Sequence, residues 1–482
     1  MGKITNKTVT KNLFWRFAER FGAQGVSLIV SIILARLLVP EAYGTIAIVT
    51  VFITILNVFV DSGLGNALIQ KKDADNVDFS TVFFFNVGMC LVLYIIIFFA
   101  APFIAGFYKD ETLTPILRTL CLVVVVSGVR NVQQAYVSRQ MIFKKFFFST
   151  ISGTIAAAVV GIAFAYAGFG VWALVFQQLF NSVFGTAILW VTVKWRPQWI
   201  FSFNRLKGLF SFGWKLLVSA LIETVYNDLR QLIIGKLYSS DDLAFYNRGK
   251  QFPDLVVTNI NASIDSVLLP AMSAAQDNRE AVKAMTRRAI KISTYVMMPL
   301  MIGLAVCAKP FVSIVLTDKW LPCVPFMQIF CVTLAFYPIH TSNLNAIKAM
   351  GRSDLFLKLE IIKKIVGMTF LLATMWISPL AMAASLLVSN VASQIINSWP
   401  NKKLLNYSYL EQIKDVLPYM ALATFMGVCV YLVTFLKIGN IVTLVIQVVL
   451  GAAIYILGSK LFKFDSFEYI LNIIKKLKRK RG

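Results

Sequence analysis

Residues 81–107 read TVFFFNVGMCLVLYIIIFFAAPFIAGF, without a single Asp, Glu, Lys or Arg. A helix of ~20 such residues crosses a bilayer core of ~30 Å. In hydrocarbon each backbone N–H and C=O must bond within its own segment, so the run is predicted as a transmembrane helix. The rest of the chain repeats the pattern. Of its 482 residues 58% are hydrophobic, where a soluble domain holds about half, and the excess falls into runs of similar length. Helices are predicted at 14–38, 43–66, 81–107, 115–137, 148–168, 170–193, 210–235, 243–270, 288–307, 325–347, 355–377, 379–399, 415–436 and 440–459. The gaps between them leave no room for a soluble domain. The expected fold class is an all-α integral membrane protein of about fourteen spans.

The charge follows the same division. Lys and Arg total 47 against 23 Asp and Glu, a net +24. A basic excess points to nucleic acid when it lies on one folded face; here it sits in short loops between apolar runs. Counted over alternate loops, one side holds 36 of the Lys and Arg and the other 9, and Arg20 and Arg230 lie within predicted helices. By the positive-inside rule both termini are expected in the cytoplasm, which requires an even number of spans. The opening MGKITNKTVTKNLFWRFAERFGAQG is basic, but Glu19 and Arg20 interrupt its apolar run and no small-residue cleavage site follows. It is read as the first helix rather than a cleavable signal. The six Cys have no metal spacing and there is one His, so no metal site and no cofactor are expected. No Walker loop, nucleotide fold, HExxH or GxSxG supports an enzyme.

The chain repeats itself. SIILARLLVPEAYG (31–44) aligns with QLIIGKLYSSDDLA (231–244) at an offset of 200, and at an offset of 210 Arg130 meets His340 and Gln133 meets Asn343. The expectation is two parallel-repeat lobes of six helices, residues 1–195 and 196–400. Residues 401–482 supply two further helices and a basic cytoplasmic tail, KKLKRKRG (475–482), read as a positive flank touching anionic lipid. Such lobes place a substrate cavity at their interface.

Polar residues within spans are costly and usually face protein or a wet cavity. Helix 1 carries Arg16, Arg20 and Gln24; helix 2 carries Asn57 and Asp61; helix 7 carries Lys215, Glu223, Asn227 and Arg230; helix 8 carries Asp254, Asn261 and Asp265. The helical spacing gathers each set into a stripe. The competing reading is of neutralised pairs, Glu19–Arg20 and Asp228–Arg230, that hold helices together. As a cavity lining, Arg20 and Arg230 suit an anion, with Arg16, Lys215, Gln24, Asn57, Asn227 and Asn261 beside them. Asp61, Glu223, Asp254, Asp265 and His340 are the candidates for Na⁺ or H⁺ coupling, although a hydrogen-bonded packing role for His340 is the simpler reading. Pro338 is placed to bend helix 10, and AVKAMTRRAIK (281–291) is read as a short interfacial helix.

The opening NLFWRFAERFGAQGVSLIVSIILARLLVPEAYG, with DSGLGNALIQ (61–70), QQAYVSRQMIFKK (133–145) and GFGVWALVFQQL (169–180), resembles the polysaccharide transporter family, colanic-acid-exporter-type members above all, within the multidrug/oligosaccharidyl-lipid/polysaccharide exporter superfamily. The likeness covers most of the chain and is strongest over the first lobe. It implies a flippase for an undecaprenyl-pyrophosphate-linked repeat unit of lipopolysaccharide, capsule or exopolysaccharide, working in the bacterial inner membrane by alternating access. Glycan polymerase and glycosyltransferases are the candidate protein partners, and no nucleic acid is expected. The alternatives are a cation-coupled multidrug-type exporter, a lipid II flippase, and a non-transporting scaffold of a glycan-assembly complex, which would not need polar stripes in its spans.

Overall fold

A computed structural model of the chain describes residues 6–60, 64–71 and 73–479. It contains helices and short connections, with no strand among the described residues. Two compact units divide at Ala244 and Phe245. The first comprises α1 (Asn6–Leu37), α2 (Pro40–Val60), α3 (Leu64–Gln70), α4 (Asn76–Tyr108), α5 (Leu113–Leu120), α6 (Leu122–Arg139), α7 (Lys144–Tyr166), α8 (Val171–Thr192) and α9 (Phe203–Leu237). The boundary falls early in α10 (Ser240–Ala274). The second unit continues with α11 (Arg279–Val306), α12 (Ala308–Val315), α13 (Val324–Ala335), α14 (Tyr337–Ala349), α15 (Ser353–Thr374), α16 (Pro379–Leu405), α17 (Tyr409–Leu432), α18 (Asn440–Leu461) and α19 (Asp465–Arg479).

Among the described residues, 12 stretches are long and apolar enough to cross a membrane. They coincide with all but two of the predicted spans. The exceptions, α9 and α15, form as helices where expected but are too charged along their length. Glu223, Asp228, Arg230 and Lys236 punctuate α9, and Lys358, Glu360, Lys363 and Lys364 crowd the first half of α15. The predicted interfacial helix at 281–291 is instead the opening turns of α11. The basic tail is longer in structure than its charges implied, because α19 begins at Asp465.

Large apolar side chains stand exposed along these helices, among them Phe99, Phe103, Val191, Leu436, Val449 and Leu457. A water-soluble surface does not carry apolar area on this scale; on helices of this length it faces lipid, and the chain is a multi-pass membrane protein. Small residues bring helices together where they touch. A Cβ on Gly153 of α7 would lie 3.0 Å from the Asn181 oxygen and the Gly185 nitrogen of α8, and Ser149 donates to the Gly185 carbonyl at 2.5 Å. Close backbone approach of this kind is how apolar helices associate where no hydrophobic drive separates helix from lipid.

Helix 10 of the sequence reading is broken into α13 and α14 at Phe336. Pro338 explains the break, since it has no N–H to continue the ladder and its ring crowds the preceding turn.

The repeat reappears in the turns. α1 ends at Leu37 and α2 starts at Pro40; α9 ends at Leu237 and α10 starts at Ser240. The closing bonds match too, Leu38 N to Leu34 O and Tyr238 N to Ile234 O, each 2.9 Å. At the offset of 210, α6 and α14 end alike. Ile142 N reaches Val137 O and Arg352 N reaches Ile347 O, both at 3.1 Å. The residue between is left-handed each time, Met141 at φ 54 and Gly351 at φ 72. Two pairs of helix ends are thus closed by the same bonds from different sequences.

Candidate functional site

The candidates on α1 and α2 divide by helix face. Glu19 accepts a hydrogen bond from Thr150 of α7 at 3.0 Å. Arg20, one residue and ~100° further round the helix, is exposed. Gln24 and Asn57 are half-buried. Asp61 falls outside the described residues, as do the side chains of Arg16 and Lys215.

On α9 the structure joins Asn227 to Glu223, whose carboxylate accepts from the Asn227 amide at 3.1 Å, and both are exposed. Asp228 accepts from Gln231 at 2.9 Å, and Arg230 is half-buried. The stripe predicted on α10 divides. Asp254 pairs with Lys250 at 3.6 Å, and Asp265 is exposed and accepts from Asn345 of α14 at 2.7 Å. Asn261 is buried, and neither end of its amide has a hydrogen-bond partner among the described residues.

His340 is buried on α14 between two asparagines of α16. Asn390 donates its amide to the Thr333 carbonyl, which turns its oxygen toward His340 Nε2. Asn397 donates to His340 Nδ1 at 3.0 Å. The partners select the neutral ring with its proton on Nε2. Nearby, Asn343 donates to Gln412 at 2.8 Å and accepts from Gln412 at 3.1 Å and Asn401 at 2.7 Å, all three being buried. This amide seam ties α14, α16 and α17 together inside the second unit. Asn343→Ala should leave the Gln412 and Asn401 amides short of partners, at a cost of about 2–3 kcal/mol. The check is the thermal midpoint of the purified protein, and an unchanged midpoint would count against the seam.

A second set of charges went unread: its cations counted only toward topology, and its carboxylates entered no reading. Asp78 of α4 is fully buried, yet it takes Lys71 Nζ at 2.6 Å and Arg205 at 3.2 Å. Arg205 also reaches Asp75 at 3.3 Å. Asp75 caps α4 in a reciprocal box with Asp78, and the Asp78 backbone N–H, chiefly, holds its carboxyl below the ordinary range. Arg139 donates to the carbonyls of Leu68 and Lys71, and Arg196 to those of Trp190 and Val193. In the second unit Arg279 reaches Lys403 O and Lys283 reaches Asn406 O, while Arg287 grips Asp415 through two bonds of 2.6 and 2.7 Å. Many of the basic-loop cations therefore satisfy carbonyls left open at helix C-termini. Beneath them each unit has an apolar core, Leu64, Leu68, Phe79, Val132 and Leu206 in the first, and Met272, Ile290, Ile339, Ala346 and Val416 in the second.

Polar residues threaded through long apolar helices define the class as a multi-pass, all-helical membrane fold. The solved lipid II flippase MurJ in its inward closed conformation has that fold. It superimposes with a TM-score of 0.76 over 94% of this chain and 99% of its own, at 14% identity. The chain belongs to the polysaccharide biosynthesis protein family, which it matches over residues 33–325. Its curated relatives include the teichuronic acid biosynthesis protein TuaB of Bacillus subtilis, 27% identical over 314 residues, 64% of this chain and 63% of TuaB. The lipopolysaccharide biosynthesis protein WzxC of Escherichia coli is 23% identical over 395 residues, 82% of this chain and 78% of WzxC.

Proposed function

We propose that the protein is a transporter that flips a lipid-linked oligosaccharide, the undecaprenyl-pyrophosphate-linked repeat unit of a surface polysaccharide, across the bacterial inner membrane by alternating access. The observation that carries this reading is the polysaccharide-biosynthesis family match on a chain with the fold of a lipid II flippase. The 36-to-9 charge split supports cytoplasmic termini. The recurrent turns at Leu37–Pro40 and Leu237–Ser240 support parallel six-helix lobes at 1–195 and 196–400. Arg20 and Arg230 are the proposed anion contacts. A diphosphate leaving water for a low-dielectric chamber needs fixed cations, since an unpaired charge costs far more than membrane binding offsets. Gln24, Asn57, Asn227 and Asn261 supply neutral polar lining, and Glu223, Asp254 and Asp265 are the proposed groups for Na⁺ or H⁺ coupling.

Deleting the gene should make lipid-linked oligosaccharides accumulate on the cytoplasmic side, measured by extraction and mass spectrometry. Normal surface glycan without accumulation would refute the reading. Arg20→Ala and Arg230→Ala should each cut export at least about tenfold at equal expression, and Lys should restore part of it by keeping charge without the two-pronged geometry. If both Ala variants export normally, the two arginines are structural.

A further inference from the structure

A cleft of ≈ 550 Å³ opens between the first turns of α11 and the start of α19, and none of the residues assigned above to cargo lines it. Its α11 wall carries Arg287, Arg288 and Lys291, and its α19 wall Asp465, Ser466 and Tyr469. Three cations face one carboxylate. Arg287 is anchored from behind by Asp415, and its side chain remains 53% exposed. The Arg288 guanidinium lies 5.7 Å from the Tyr469 ring centroid, and Lys291 is 3.3 Å from Asp465.

The cleft is built rather than accidental, because the start of α19 is tied down. The Phe464 ring packs on Tyr419 with centroids 4.9 Å apart. Buried Ser466 shares a hydrogen bond of 3.0 Å with Tyr419. Tyr455 donates to the Tyr295 carbonyl at 2.8 Å, closing α18 on α11 beside it. The cleft also sits where apolar span gives way to charge. Leu457, Leu461 and Phe462, just before α19, are exposed. Phe467, Ile470 and Leu471 follow on α19 at the three- and four-residue spacing of an amphipathic helix, the pattern of a helix lying in the headgroup plane. A phosphate at that depth meets two guanidinium groups, which suit its oxygens in forked geometry, and its acyl chains meet the exposed end of α18.

We propose that this cleft seats the phosphate headgroup of an anionic phospholipid, which docks α19 against α11 at the membrane surface. The assignment does not depend on the transported cargo. The test uses the full chain in nanodiscs of dioleoylphosphatidylcholine doped with dioleoylphosphatidylglycerol, with retained lipid counted by native mass spectrometry after gentle extraction. Wild-type protein should retain phosphatidylglycerol several-fold over phosphatidylcholine. The variant R288Q/K291Q should lose that preference, since each basic group near an anionic surface contributes up to about fivefold. Asp465→Asn should move the other way, raising retention by up to about fivefold. Because this variant only removes an exposed carboxylate, it decides the matter even if the double variant fails to fold. Three results would overturn the proposal: no phosphatidylglycerol preference in the wild type, no change in either variant, or displacement by millimolar inorganic phosphate, which would mark a free-anion site. Preferential capture of undecaprenyl diphosphate would reassign the cleft to cargo.

Discussion

Gly44→Ala should abolish export, with a loss of at least about tenfold, and should lower the thermal midpoint as well. A Cβ at Gly44 would stand 1.8 Å from the Ser240 carbonyl oxygen, 2.4 Å from its carbon and 2.7 Å from Cα. All three are backbone atoms, so no rotamer change relieves the overlap. Either α2 or the turn into α10 must retreat, and overpacking of this kind typically costs ~1–3 kcal/mol. The contact also joins the two turns that the internal repeat makes equivalent, Leu37–Pro40 and Leu237–Ser240. A displacement there shifts both turns at once, which is why transport should fall further than stability. Gly25→Ala is the matched control, since nothing lies within 4 Å of its Cβ position. It should be neutral or slightly stabilising by helix propensity. Surface-glycan staining at equal expression reads the first effect and thermal unfolding in detergent the second. Wild-type values for Gly44→Ala in both would show that the close approach is dispensable.

Asp78→Ala should destabilise the first unit by about 2–3 kcal/mol. Removing one partner of a buried ion pair costs ~3–5 kcal/mol when the survivor stays buried. Here the survivors are partly wet, Lys71 at 32% and Arg205 at 41% side-chain exposure, so the cost falls below that range, to about 1–2 kcal/mol. The substitution also removes one half of the α4 capping box, the bond from Asp75 N to the Asp78 carboxylate at 3.2 Å, a contribution of at most about 1 kcal/mol. Asp78→Asn keeps part of the hydrogen bonding and should fall between. The cap also gives a pH signature. The Asp75 carboxyl is held below its ordinary value of 3.8, first by the Asp78 backbone N–H. Its folded value is the lower one, so its stabilisation is full above about pH 4 and fades as pH falls through that folded value. Limited proteolysis across 60–80 follows the local unit, and an Asp78→Ala protein as resistant as wild type would refute the anchoring role.

The turn and span pattern was legible in the primary structure because hydropathy is local. A helix that must satisfy its own backbone in lipid announces itself in ~20 consecutive residues, and twelve of the predicted spans stand as apolar helices. The α9 and α15 helices were placed correctly for the same reason, though charges interrupt their apolar runs. The fourteen aligned residues at 31–44 and 231–244 end and restart their helices at matching positions. Other features were not legible. His340 meets Asn390 and Asn397 on another helix, and nothing in FYPIHTSNLNAIKAMG names them. Lys71 and Arg205 entered the reading as topology charges, and Asp78 did not enter at all.

Amino-acid order alone therefore determined the class of protein and the position of its membrane helices, each a property of short stretches summed along the chain. Tertiary structure decided which cations are solvated and which close helix ends, and which buried amides share partners. It also decided that α19 folds back beside α11. Asp78 and Arg205 are 127 positions apart, and only the packed helices bring them within 3.2 Å. In a low-dielectric interior that distance decides whether a charge anchors the fold or disrupts it.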